Sequence, residues 1–119
     1  MKPVLCIILV FVSSCVSHDD PQANTCNVNN PIEDLPWLKK EVAEFNGSDL
    51  ERAYWFITKA TYKSETVFIV RNCCPNCSTL PPPVYACNGV LLFRGNDEQY
   101  NDISGERLIW KSPEYACTF

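Results

Sequence analysis

The chain has 119 residues, eight cysteines and a formal net charge of −4. This length leaves room for one domain, and an acidic chain without a Lys/Arg cluster is a poor candidate for binding nucleic acid or an anionic membrane face. Eight cysteines are too many for a reducing compartment unless they hold a metal, so their number favours an oxidising location.

The N-terminal residues have the pattern of a targeting segment. Lys2 supplies a positive charge, and the apolar run over residues 4–12 is too short to span a bilayer, so residues 1–14 are predicted to be a signal peptide. Val12-Ser13-Ser14-Cys15 has the pattern of a bacterial lipobox, which predicts that Cys15 becomes the acylated N-terminus and anchors the protein to a membrane. An ordinary secretory signal, with Cys15 free or in a disulfide, is the alternative.

The segment after the predicted lipidation site is polar. We expect residues 15–28 to be a tether and residues 29–119 to form a single domain. A serine followed by two acids, Ser17 to Asp20, is similar to the export tag of Bacteroidetes lipoproteins, and His18, the one histidine, is expected to be solvated there. The predicted location is the cell envelope, as an outer-membrane lipoprotein that faces either the periplasm or the outside.

One amphipathic helix is predicted at the start of the domain. Asn30-Pro31-Ile32-Glu33 has the cap, first-turn proline and acid of a helix start, and Pro36 interrupts or restarts the helix. Gly47 is expected to end the helix in a left-handed conformation, and Trp37 is expected in the core or at its edge. Apolar residues recur at steps of three and four along one face: Leu35, Leu38, Val42 and Phe45.

Strand patterns follow the helix. Aromatic and β-branched residues over 54–62 and 66–70 predict a hairpin whose turn lacks glycine, and residues 84–87 and 90–93 predict a second hairpin. Asn88-Gly89 is expected to form a type I′ turn there. Residues 95–105 are predicted to be a polar loop before a last strand over 107–111. The predicted class is α+β, with one N-terminal helix packed on an antiparallel sheet of four to five strands and stapled by disulfides.

Three interpretations of the cysteines were compared. A redox pair at Cys74 and Cys77 would need a following helix, which the prolines at 81–83 prevent. A four-sulfur zinc site usually brings two C-x-x-C pairs, and the chain has one. Structural disulfides are favoured, with Cys87 bonded to Cys73 or Cys74 and with the domain's two ends joined, and we expect no metal and no cofactor. The candidates are Cys26, Cys73, Cys74, Cys77, Cys87 and Cys117.

The sequence contains no set of residues that indicates catalysis. The one histidine lies in the tether, and the carboxylates are scattered without a pair placed for acid–base work. We expect no enzyme but a binding or structural domain; the alternative is an inhibitor or accessory subunit of a cell-envelope complex. We expect a protein as the partner and no nucleic acid. A binding role for the domain predicts an exposed apolar patch around Tyr54, Trp55 or Trp110.

Five short motifs occur in order along the chain: Asn30-Pro31 through Leu35-Pro36-Trp37-Leu38, Tyr62-Lys63 through Thr66-Val67-Phe68, Asn72-Cys73-Cys74-Pro75, Val84-Tyr85-Ala86-Cys87-Asn88-Gly89 and Leu108-Ile109-Trp110-Lys111. Together they resemble small Bacteroidetes lipoproteins that carry a domain of unknown function, over about residues 29–111. The resemblance implies the location and the fold without supplying an activity. This chain adds Cys26 and Cys117 and lacks a late Cys-Pro-Asp motif, so the family's disulfide pairing is not carried over.

Overall fold

A computed structural model describes residues 26–75, 77, 80–95 and 97–117. The predicted signal peptide, the lipidation site Cys15 and most of the tether lie outside the described residues. In these ranges no helix has the length and apolar character needed to cross a membrane. The elements are helices α1 (Pro31–Asp34), α2 (Pro36–Asn46), α3 (Asp49–Tyr54) and α4 (Asp97–Asn101), and strands β1 (Trp55–Tyr62), β2 (Glu65–Asn72), β3 (Val84–Ala86), β4 (Leu91–Phe93) and β5 (Ile103–Lys111).

The five strands form one antiparallel sheet in the order β4-β3-β2-β1-β5. Within the central pair, Tyr62 lies opposite Glu65 and Trp55 opposite Asn72. The end of the sheet that carries Tyr62, Glu65 and the β3–β4 turn is called the hairpin end, and the end that carries Trp55 and Asn72 is called the knot end. The predicted α+β class, with helices and an antiparallel sheet, is confirmed.

Buried side chains lie on both faces of the sheet, since the side chains of a strand alternate between its two faces. On the first face, Leu38 and Phe45 of α2 are buried against Ile57 and Phe68 of the two central strands. On the second face, a smaller cluster joins the central strands to the β3–β4 hairpin. Its members are Ala60, Val67, Ile69, Val84 and Phe93, with Tyr62, Tyr100 and Ile103 packed against it.

The end of the amphipathic helix differs from the prediction. Gly47 has φ −80°, in the right-handed region, so the expected left-handed cap is wrong. The next residue, Ser48, begins another helix instead, and its Oγ accepts a hydrogen bond from the Glu51 backbone N–H at 3.4 Å. Ser48 and Glu51 have the spacing of a capping box, which is the sequence signal for α3.

The conformations of the two hairpin turns are also the reverse of what their glycine content predicts. Lys63 and Ser64, with φ of 48° and 65°, both take the left-handed conformation that a two-residue type I′ turn requires. Gly89 has φ 83°, but Asn88 is not among the positive-φ residues, so the type I′ prediction for Asn88-Gly89 is wrong. The bond from Ala86 N to Val90 O, 2.9 Å, closes a three-residue loop that ends on the glycine.

The predicted loop over residues 95–105 contains regular structure. Helix α4 lies within it, and β5 begins at Ile103, opposite Tyr62, well before the expected start at 107. The Tyr100 ring contacts the Phe93 ring at 5.4 Å between centroids, and its hydroxyl donates to the Pro82 carbonyl. These tertiary contacts order a segment whose polar composition, taken alone, favours a loop.

Candidate functional site

The six cysteines among the described residues all lie in disulfide pairs. Cys26 pairs with Cys87 at a Cα–Cα distance of 5.5 Å, Cys73 pairs with Cys117 at 5.9 Å, and Cys74 pairs with Cys77 at 5.3 Å. The first bridge lies at the hairpin end, and the other two lie at the knot end. The C-x-x-C segment therefore closes on itself.

The predicted pairing of Cys87 with Cys73 or Cys74 is wrong, and so is the pairing of Cys26 with Cys117. Strand β3 begins beside the knot end and runs away from it, so Cys87 lies about 10 Å further along. Likewise, β5 ends at the knot end, where Cys117 Sγ lies 3.5 Å from the Tyr54 carbonyl oxygen. The direction of each strand, which local patterns do not show, decides which cysteines can meet.

Trp37 organises the packing beside the first bridge. Its indole Nε1 donates to the Cys87 carbonyl oxygen at 2.8 Å, and its ring lies 5.7 Å from Phe68 and 5.4 Å from Tyr85. A Cβ on Gly89 would lie 2.7 Å from Trp37 Cγ, so the turn approaches the indole as only glycine allows. Trp37 thus lies at the edge of the core, and it holds α2 on the second hairpin.

A concave surface lies at the knot end, between α2 and the proline-rich segment. It encloses about 870 Å³, within the range that ligand clefts commonly have. We call it the knot groove. Its lining is largely apolar: Phe45, Trp55, Phe56, Val70, Cys73, Cys74, Cys77, Leu80, Pro81, Pro82, Pro83 and Tyr85, with the polar residues Glu41, Arg71, Asn72 and Arg94.

Charged groups of both signs act on Tyr85 inside this groove. Burial raises the pKa of the Tyr85 hydroxyl, the negative charge of Glu41 raises it further, and the positive charge of Arg94 opposes both. Burial, followed by repulsion from Glu44, also raises the pKa of the Glu41 carboxyl. The groove lining therefore combines a carboxyl group, a phenol and a guanidinium with apolar side chains.

Arg71 joins the groove to a polar cluster on the second face of the sheet. Its guanidinium binds both oxygens of Glu106, with Nη2 3.0 Å from Oε2, and the Thr58 hydroxyl donates to Oε1 at 2.7 Å. Burial alone would raise the pKa of Glu106, but the hydrogen bonds from Arg71 and Thr58 outweigh it and lower the pKa. The cluster ties β2, β1 and β5 together beside the groove.

The expected apolar patch is not where the sequence placed it. Trp55 and Trp110 pack against the first core cluster, and the Trp110 ring lies 5.8 Å from the Phe45 ring. The large apolar side chains that are exposed lie elsewhere: Leu50, Leu80, Val90, Leu91, Leu92 and Leu108. Sequence reasoning missed Leu80 at the rim of the groove because a lone leucine beside prolines carries no periodic signal.

Among the described residues, no group of three or more His, Cys, Asp or Glu side chains is arranged to hold a metal ion. Glu41, Tyr85 and Arg94, which contribute three of the polar groups of the groove, are far apart in the sequence. No spacing rule connects them, so the sequence contains no motif for this site. Comparisons with family models, with curated proteins and with solved structures find no match to this chain.

Proposed function

We propose that this protein is exported and lipid-anchored in the cell envelope, and that its domain binds a partner through the knot groove without catalysing a reaction. The groove carries this proposal, because it is concave, largely apolar and equipped with a few polar groups. Its occupant, in our proposal, is a segment of a partner polypeptide.

Two features support export and anchoring. Three disulfides within one small domain suit an oxidising compartment, where such bonds persist. The apolar run at residues 4–12 ends three residues before Cys15, the arrangement of a lipoprotein signal. The layered domain then serves as the displayed part, and the burial of Leu38 and Phe45 supports an amphipathic helix that closes one face of the sheet.

The chemistry of the groove favours a polypeptide segment as the occupant. The apolar floor suits an aliphatic or aromatic side chain, while Glu41 and Arg94 offer partners for groups of opposite charge. A lipid acyl chain brings nothing that would satisfy these two charged groups, and burying them unpaired would be unfavourable. A peptide can supply both an apolar side chain and the complementary charges.

The stiffness of one groove wall supports a second candidate, an inhibitor or accessory subunit that docks on a cell-envelope protein. Pro81, Pro82 and Pro83 fix three consecutive φ angles, and the Cys74–Cys77 bridge closes the loop just before them. A wall that is already ordered loses little conformational entropy on binding. Such preorganisation is typical of inhibitors that block a partner without changing shape.

A site-specific photocrosslinking experiment tests the groove. A benzophenone amino acid replaces Leu80, 65 % exposed at the groove rim, and in a matched control it replaces Leu50, 50 % exposed on α3. We expect one protein adduct in intact cells at position 80 and none at position 50. The adduct should be lost when Arg94→Gln and Tyr85→Ala are combined with the probe.

An adduct at position 80 that survives these two substitutions, or an equal adduct at position 50, would contradict binding in the groove. The anchor is tested separately by the intact mass of membrane-extracted protein with and without reductant. Acylated Cys15 adds the mass of its lipid, and reduction of three disulfides adds six hydrogens. Cys15→Ala should move the protein to the soluble fraction, and a variant that stays with the membrane would contradict acylation.

A further inference from the structure

An apolar strip lies at the start of strand β4. Val90, Leu91 and Leu92 follow one another and are 54 %, 52 % and 42 % exposed. They make up half of the exposed large apolar side chains in the described ranges, and they are consecutive only here. Leu91 and Leu92 lie on opposite faces of β4, and because β4 is an edge strand bonded to β3 alone, the strip follows the free edge of the sheet.

The first disulfide places the N-terminal segment beside this strip. Cys26 is bonded to Cys87, which precedes Val90 by three residues in the same hairpin. Ten residues separate Cys15 from Cys26, so at full extension the two lie at most about 40 Å apart. Of the two ends of the sheet, the hairpin end is therefore the one at which the segment from Cys15 joins the domain.

We propose that the strip formed by Val90, Leu91 and Leu92 lies in the interfacial layer of the bilayer to which Cys15 is anchored. This inference rests on the proposed lipid anchor. Three half-exposed aliphatic side chains bind a membrane weakly on their own. With the anchor in place the contact becomes intramolecular, so a high effective concentration makes a weak contact sufficient.

The charges around the strip indicate that the contact is hydrophobic. The exposed charged residues of the hairpin end are acidic at Glu65 and Asp102 and basic at Lys63, which gives no net attraction to anionic lipid. The contact should therefore form on neutral lipid and persist at high salt. The knot groove, at the other end of the sheet, then faces away from the membrane.

A second copy of the chain is the other possible occupant of an edge strand. Strand β4 has only three residues, and the exposed Arg94 follows it directly. A short edge flanked by a charge offers few ladder hydrogen bonds to another strand. The bilayer needs none, because the headgroup layer is hydrated and can satisfy the free backbone groups.

The test uses the full chain, purified with its lipid and reconstituted in phosphatidylcholine vesicles. A benzophenone amino acid is placed at position 91 or, in a second variant, at position 92, and Leu50 on α3 is the control position. We expect lipid adducts at positions 91 and 92, in amounts that high salt does not change, and no lipid adduct at position 50. The intact mass of each preparation records separately whether Cys15 is acylated.

The strip proposal can fail while the anchor stands. In that case the mass shows acylation, but positions 91 and 92 give no lipid adduct, or they crosslink to a second copy. If the mass shows no acylation, the anchor proposal fails, and the strip proposal fails with it because the strip alone binds a membrane weakly.

Discussion

The hairpin end and the knot end of the sheet differ in how they are built. At the hairpin end, one bridge joins Cys26 to Cys87, the indole of Trp37 packs on a close turn, and an apolar strip is exposed. At the knot end, two bridges and three prolines surround a groove of about 870 Å³. An eight-residue strand separates the two ends by about 26 Å. In our proposals, attachment and binding therefore occupy opposite ends of one sheet.

Removing a disulfide is expected to have the largest effect on the free energy of unfolding. Cys26–Cys87 and Cys73–Cys117 span 61 and 44 positions, whereas Cys74–Cys77 spans three. Chain entropy predicts a loss of about 4 kcal/mol when either long bridge is replaced by two serines, and about 2 kcal/mol for the short one. Chemical denaturation of the three double variants measures this order. A loss well above about 2 kcal/mol for the short bridge would show that it stabilises the fold by more than restricting the unfolded chain.

Gly89 tests the packing of the hairpin end. Gly89→Ala places a Cβ 2.7 Å from Trp37 Cγ at a φ of 83°, and we expect it to destabilise the fold by about 3 kcal/mol. Gly105→Ala is the matched control, since Gly105 has φ 62° but nothing within 4 Å of the added Cβ. The control should lose only the conformational part, about 1–2 kcal/mol. Equal losses in thermal denaturation would mean that the indole moves aside.

Two carboxyl groups near the knot end should respond to pH with opposite signs. The pKa of Glu106 is lowered below its ordinary value of 4.5, so its stabilisation is present above that value and is lost as pH falls through the folded-state pKa. Glu106→Gln should therefore destabilise the protein at neutral pH by about 1 kcal/mol, because the ion pair is partly exposed.

For Glu41 the pKa is raised above 4.5, so its stability contribution is complete below that value and is lost as pH rises through the folded-state pKa. Glu41→Gln should accordingly stabilise the protein at neutral pH. In urea denaturation the Glu41 variant should approach the wild type when pH falls below 4.5, whereas the Glu106 variant should do so only when pH falls below the lowered folded-state pKa of Glu106. The same sign of change for both variants at neutral pH would contradict this account.

The smallest expected effect concerns the turn between β1 and β2. Ser64 has φ 65°, a conformation that disfavours L side chains, and Ser64→Gly removes that cost while making the unfolded chain more flexible. We expect a net gain of up to about 1 kcal/mol, which calorimetry would record as a rise of a few degrees. A fall in the melting temperature would show that the Ser64 side chain stabilises the turn.

The sequence predicted the elements better than their arrangement. Leu35, Leu38, Val42 and Phe45 lie on one stripe because helical periodicity is local, and the first three strands follow from β-branched and aromatic runs. Helix α4 and the early start of β5 depend on contacts such as that of Tyr100 with Phe93, which no local pattern contains.

The site was less accessible to prediction than the fold. All six cysteines were recognised as disulfide candidates, but Cys87 was assigned to the wrong end of its strand because partners depend on strand direction. The knot groove combines Glu41, Tyr85 and Arg94 from separate elements, so it exists only after folding. Proximity in space, unlike proximity in sequence, requires the topology to be known first.

The three bridges also determine how the domain carries mechanical load. A pull between Cys26 and Cys117 can pass through the first bridge to Cys87, along the backbone to Cys77, across to Cys74 and Cys73, and through the last bridge. This covalent route contains ten backbone steps from Cys77 to Cys87 and one from Cys73 to Cys74, so it extends by no more than about 40 Å plus the bridges. Tension applied at Cys26 and Cys117 is therefore carried by the segment that forms the groove wall, and it reaches the knot groove before it can unfold a helix.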